Sequence, residues 1–78
     1  MNNLNLSANA NVILRDQRKK AGITQVELAK RMGLNTSQQL WNIENAKNHL
    51  TLELAIKAAN ALNISIDVFL CKKVKQNI

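Results

Sequence analysis

The residues of this chain best equipped to recognise another molecule are three primary amides, Gln38, Gln39 and Asn42, carried in the segment Ser37-Gln38-Gln39-Leu40-Trp41-Asn42-Ile43-Glu44. A primary amide holds a donor and an acceptor side by side, which matches the N6 and N7 pair of adenine in the major groove of a duplex. Leu40 and Ile43 stand three apart, so on a helix they share one face and leave the amides outward. Taken alone, the amides are also what ordinary solvated helix surface looks like. Their meaning depends on the elements that position them.

Those elements begin at Ile23, because the stretch from there to Glu44 reads as two short helices joined by a glycine turn. Thr24 is placed to cap the first, and Glu27, three residues on, to reach back to the cap's own amide, a capping box. Ile23 before the cap and Leu28 within the helix are spaced as a hydrophobic staple. Gly33 is the left-handed residue that ends the helix, and Leu34 after it can fold back on Leu28 or Ala29. The first helix is therefore expected over Gln25 to about Met32. The second starts between Asn35 and Ser37, all of them good caps, and Ala29 is small enough to let the two axes cross closely.

The pattern Thr24-Gln25-x-Glu27-Leu28-Ala29-x-x-x-Gly33, followed by Ile43-Glu44, resembles the helix-turn-helix of the Cro and phage-repressor (XRE-type) family, over roughly Leu14 to Leu70. The resemblance implies an all-α, compact five-helix bundle with a central helix-turn-helix, lambda-repressor-like. It implies base contacts from Ser37, Gln38, Gln39 and Asn42, and phosphate contacts from Gln25, Thr36, Trp41, Lys47 and Asn48. It also implies a structural ion pair, Arg18 with Glu44, tying the first helix of the domain to the recognition helix. By spacing alone that pair is equally an ordinary surface bridge worth under about 1 kcal/mol. Two positions depart from the family pattern. The interval from Gly33 to Glu44 is one residue longer than the commonest spacing, and Ala46 stands where the family usually has glycine. The backbone at Ala46 is then either not left-handed or strained.

The rest of the chain is expected to build the support. A helix from about Ala8 to Ala21, capped by Ser7 or Asn9, has Ala10, Ile13, Leu14, Gln17 and Ala21 on one stripe and ends at Gly22. Arg15, Arg18, Lys19 and Lys20 load its later turns with positive charge, which suits the helix dipole as well as it would suit a phosphate. Thr51 caps a further helix, Leu52-Glu53-Leu54-Ala55-Ile56-Lys57-Ala58-Ala59-Asn60-Ala61-Leu62, whose largely apolar circumference marks it as central and buried. Asn63 can end it, and Ser65 can cap a last short helix from Ile66 to about Cys71. The alternation Ile64-Ser65-Ile66-Asp67-Val68 equally permits a strand, which in a dimer could pair with its twin. The chain divides into an N-terminal arm (1–9), loose or an early extension of the first helix, the helix-turn-helix domain (10–71) and a basic tail (72–78) carrying Lys72, Lys73 and Lys75.

Composition bounds the function. At 78 residues the chain is one domain, near the size at which a single core supplies only a few kcal/mol. A homodimer would help. Eleven Lys and Arg against five Asp and Glu give a formal charge of +6, suited to a phosphate backbone once the helix pair is taken with it. The single Cys71 excludes an internal disulfide and offers no zinc spacing, and His49 has no partner in the sequence, so no metal and no cofactor is expected. No apolar run approaches a membrane span and the N-terminus lacks signal-peptide character, so the expected place of action is the cytoplasm, on the nucleoid. No nucleophile with a base, carboxylate pair or phosphate-cradling loop suggests an enzyme. The expectation is a dimeric, sequence-specific binder of double-stranded DNA, acting as a repressor on an inverted-repeat operator. The alternatives are an antitoxin that holds a toxin protein partner and a restriction-modification controller protein.

Overall fold

A computed structural model describes residues 5–71; Lys72, Lys73 and Lys75 of the expected tail lie outside them. The chain is all-α, with α1 (Ala10–Ala21), α2 (Gln25–Met32), α3 (Ser37–Glu44), α4 (Leu52–Leu62) and a closing 3-10 turn, Ile66–Phe69. The expected last short helix is this single 3-10 turn, so the five-helix count roughly holds. Ser65 caps it by accepting from the Asp67 amide, but the turn stops at Phe69 instead of running on to Cys71.

Each helix starts and stops by a device written locally in the sequence. Thr24, Thr36 and Thr51 stand in extended conformation at the N-caps of α2, α3 and α4, and each side chain accepts from the amide three residues on. The capping box expected at Thr24 is only half made. Glu27 turns instead to Arg31, one helical turn away at 3.0 Å, because a guanidinium attracts a carboxylate more strongly than a lone amide does. The complete box is at Thr36, whose hydroxyl accepts from Gln39 N while the Gln39 side chain accepts from the backbone of Thr36 and Asn35.

α1, α2 and α4 end directly on a left-handed residue, Gly22, Gly33 and Asn63, with φ of 73°, 78° and 59°, and α3 reaches one at Ala46, φ 59°, after Asn45 at φ −99°. After each, the next amide reaches back to a carbonyl in the last turn: Ile23 to Arg18, Leu34 to Ala29, Lys47 to Asn42 and Ile64 to Ala59, at 2.8 to 3.4 Å. The open question at Ala46 thus resolves to a left-handed alanine, which carries strain that glycine would not.

The core gathers Leu14, Leu28, Leu40 and Phe69, all fully buried, with Ala10, Ala29, Met32, Ile43, Leu50 and the alanines of α4 around them. α4 packs against α2, α1 and the closing turn, so it is central as expected. It is not buried around most of its circumference, however. Ala55, Ala58 and Ala59 face inward, Leu54, Ala61 and Leu62 are half-buried, and Ile56 is 44% exposed. Alanines on the inner face bring the helices close and leave the larger side chains on the flanks.

The two ends of the domain meet. Leu6 pairs with Leu70 in an antiparallel bridge, Ser7 N donates to Phe69 O and Cys71 N to Asn5 O, both at 2.8 Å. Residues 5–7 of the expected arm are therefore neither loose nor an extension of α1. The helix begins at Ala10 instead of Ala8, and Asn9, its N-cap, makes no side-chain cap because its Oδ1 accepts from the Ser7 hydroxyl at 2.6 Å. The strand-like character read near Ile64–Val68 finds its partner in the chain's own N-terminal segment, a few residues further on.

Candidate nucleic-acid interface

α3 is seated from its C-terminal end. Glu44 is 3% exposed, and its carboxylate receives Arg18 Nε at 2.7 Å, Arg18 Nη2 at 3.1 Å and Gln25 Nε2 at 2.9 Å. Arg18 Nη1 also donates to Ile23 O at 3.0 Å. One carboxylate thus joins α1, the entry to α2 and the end of α3. The Arg18 and Glu44 side chains are 11% and 0% exposed, so the pair is a buried tie and not the surface bridge that spacing alone allowed. A buried carboxylate is tolerated because both its oxygens are hydrogen-bonded and its charge is matched.

The sequence contains Asn11 without making its role plain. Its Nδ2 donates to Ile43 O at 2.6 Å and lies 3.4 Å from Asn48 O. Asn11, Arg15 and Arg18 recur at helical spacing along α1, a polar stripe beside the apolar one, and that recurrence was the available signal. Arg15 is half-buried on this stripe, and its Nε is without a hydrogen-bond partner.

The N-terminal part of α3 carries the amides. Ser37 is half-buried at the first helical position, Gln38 is exposed, and Gln38 Nε2 donates to Asn42 Oδ1 at 3.1 Å. That bond leaves the Gln38 carbonyl, its second N–H and both Asn42 N–H groups available. Gln39 is also exposed, yet its oxygen is taken by the amides of Asn35 at 2.8 Å and Thr36 at 3.3 Å. Only its donor edge remains free, so the paired donor and acceptor that suit adenine are not presented by Gln39 as it stands. Thr36 spends its acceptor on the cap and keeps a hydroxyl proton to donate.

Trp41 is 39% exposed, with Lys47 Nζ 6.0 Å from the centre of its ring, at the outer limit of a cation–π contact. Lys47, Asn48 and His49 are exposed in the loop after α3. Gln25 is half-buried at the start of α2; one of its N–H groups goes to Glu44 and the other is free. The structure thus joins Arg18, Gln25 and Glu44, pairs Gln38 with Asn42, Thr36 with Gln39 and Trp41 with Lys47, and gives Asn48 its contact to Asn11.

A helix-turn-helix family model matches residues 14–69, from α1 through the closing turn. The chain belongs to the helix-turn-helix family. As a helix-turn-helix protein of the XRE type it is a DNA-binding transcription regulator, with α2 and α3 as the motif. Among solved structures it is similar to the restriction-modification controller protein C.AhdI from Aeromonas hydrophila, at 27% identity and a TM-score of 0.71 over 77% of this chain and 89% of that one. It is also similar to the clp gene regulator ClgR from C. glutamicum, at 28% identity and a TM-score of 0.72 over 77% of this chain and 78% of that one. No curated protein matches. Among the described residues no helix is long and apolar enough to cross a membrane.

Proposed function

We propose that this helix-turn-helix protein binds double-stranded DNA sequence-specifically as a homodimer, lays α3 in the major groove and represses transcription from an inverted-repeat operator. The observation that carries this reading is the exposed Gln38 edge, held by Asn42 on a helix whose far end is locked by the buried Glu44. Gln38 and Asn42 read bases, with Ser37 at the helix start and Gln39 restricted to donation. Gln25, Thr36, Trp41, Lys47 and Asn48 meet phosphates and set the register. The half-sites then lie about one helical turn, roughly 34 Å, apart. The uncovered Ile56 flank of α4 supports dimerisation, since a small domain gains from burying such surface against a second copy. The formal charge of +6 supports association with a phosphate backbone, and in this reading the place of action is the cytoplasm, at the nucleoid.

Selection of bound duplexes from a random pool, followed by Gln38→Ala, tests the reading. The substitution is expected to cost about 1 to 3 kcal/mol and to relax preference at one base position. An unchanged ratio between selected and scrambled DNA removes Gln38 from base reading. The likeness to a controller protein favours a second reading, control of a restriction-modification operon. A neighbouring endonuclease or methyltransferase gene supports it, and a neighbouring toxin-like gene with a co-purifying product supports an antitoxin instead.

A further inference from the structure

We infer that Asn11, in the first turn of α1, is a positioning residue that holds the loop Ala46–Asn48 against the phosphate backbone; the inference rests on the proposed phosphate contacts of Lys47 and Asn48. The loop is otherwise held by α3 alone. Its amides go to Ile43 O from Ala46 at 3.1 Å and to Asn42 O from Lys47 at 2.8 Å and Asn48 at 3.2 Å. Ala46, Lys47 and Asn48 are all exposed, and Ala46 sits at a φ of 59° that a residue with a Cβ disfavours. Among the described residues, Asn11 is the one side chain from another element that hydrogen-bonds to the backbone of this loop.

The geometry of Asn11 is specific. Its Nδ2 and the Ala46 amide converge on the same oxygen, Ile43 O, so both lone pairs of the carbonyl that closes the turn are used. The second N–H of Asn11 faces Asn48 O, two residues beyond the strained alanine. The side chain therefore clamps the turn on both sides of Ala46, and it does so from α1, which the Arg18–Glu44 pair already fixes to the residue after Ile43. The donor is essential to this role. An aspartate of equal size would set a carboxylate against two carbonyl oxygens, and an alanine would leave both without the contact.

The test compares Asn11→Ala, Lys47→Ala and the double variant in the full chain, measuring binding to a selected and a scrambled duplex across a range of salt. Asn11→Ala is expected to weaken binding to both duplexes by about tenfold, leave their ratio unchanged, and lower the salt slope by up to about one. In the Lys47→Ala background it should cost less than it does alone, because only the Asn48 contact is then left for it to loosen. In the free protein, amide exchange at Lys47 and Asn48 should quicken while exchange at Leu34, in the corresponding turn after α2, does not. Should Asn11→Ala fail to fold, Asn11→Leu keeps the size, removes the donation and adds no charge, and it is expected to show the same pattern. Wild-type binding and slope in Asn11→Ala, beside a clear loss in Lys47→Ala, overturn the inference while leaving the phosphate reading standing. So do additive losses, which mean that Asn11 acts on the fold as a whole. An unchanged slope in Lys47→Ala instead removes the phosphate reading itself, and the inference goes with it.

Discussion

The two ends of α3 are held in opposite ways. At the N-terminal end, Thr36 and Gln39 satisfy one another in a capping box, Gln38 leans on Asn42, and every hydrogen bond made by these side chains is to a residue within four positions. At the C-terminal end, Ile43 and Glu44 are gripped by side chains from far away in sequence, Asn11, Arg18 and Gln25. A helix built in this way is fixed in direction by the scaffold and free in its outward chemistry. Residues at the reading end can change without disturbing the core, whereas a change at the seated end moves the whole rod.

The strongest way to break this contrast is at Glu44. Glu44→Ala leaves the Arg18 guanidinium, 11% exposed, without its counter-charge, and removes the acceptor of Gln25. Loss of one partner of a buried pair typically costs about 3 to 5 kcal/mol, a large share of what so small a domain possesses. Urea denaturation of Glu44→Ala should show a much lower midpoint or no folded baseline. A midpoint within error of wild type would mean that the C-terminal end is not where α3 is seated.

At the other end the expected effect is smaller. Thr36→Ala removes the cap acceptor for Gln39 N and should cost about 1 kcal/mol. It also frees the Gln39 oxygen in part, since the first turn that holds Asn35 N and Thr36 N in place loosens. Selection from a random pool should accordingly show altered preference at the position Gln39 faces, with the preference at Gln38 retained. A loss as large as that of Glu44→Ala would erase the distinction between the two ends.

What was legible in the sequence follows the same division. Helix ends came through well because Thr24, Gly33, Thr51 and Asn63 act on backbone groups within a few residues, and local chemistry is what a sequence displays. The capping box was assigned to Thr24 instead of Thr36 because Glu27 has a competitor in Arg31, and spacing does not rank one partner above another. Arg18 with Glu44 was available only through the family resemblance, since nothing local links residues on α1 and α3. Asn11 went unremarked for the same reason, although its recurrence with Arg15 and Arg18 marks a polar stripe facing a neighbour. The Ser65-capped closing turn was legible for the same local reason, but its bridge to Leu6 was not, because the alternation near Ile64 says that an extended segment is possible and not which segment it meets.

The smallest expected effect compares the turns after α2 and α3, which have the same backbone plan but different residues. Gly33 at φ 78° is unstrained, and Ala46 at φ 59° carries a Cβ in the left-handed region. That conformation costs about 1 to 2 kcal/mol for a residue with a side chain. Glycine recovers this but loses about 0.4 to 1 kcal/mol through the greater freedom of its unfolded chain. Ala46→Gly should therefore stabilise the protein by roughly 0.5 kcal/mol, read as a small rise in the denaturation midpoint. Gly33→Ala should destabilise it by a similar amount, because the added Cβ meets no atom within 4 Å and the backbone is its only penalty. If Ala46→Gly destabilises instead, the alanine methyl has packing worth more than its strain, and the loop is held by contacts other than the hydrogen bonds of Asn11.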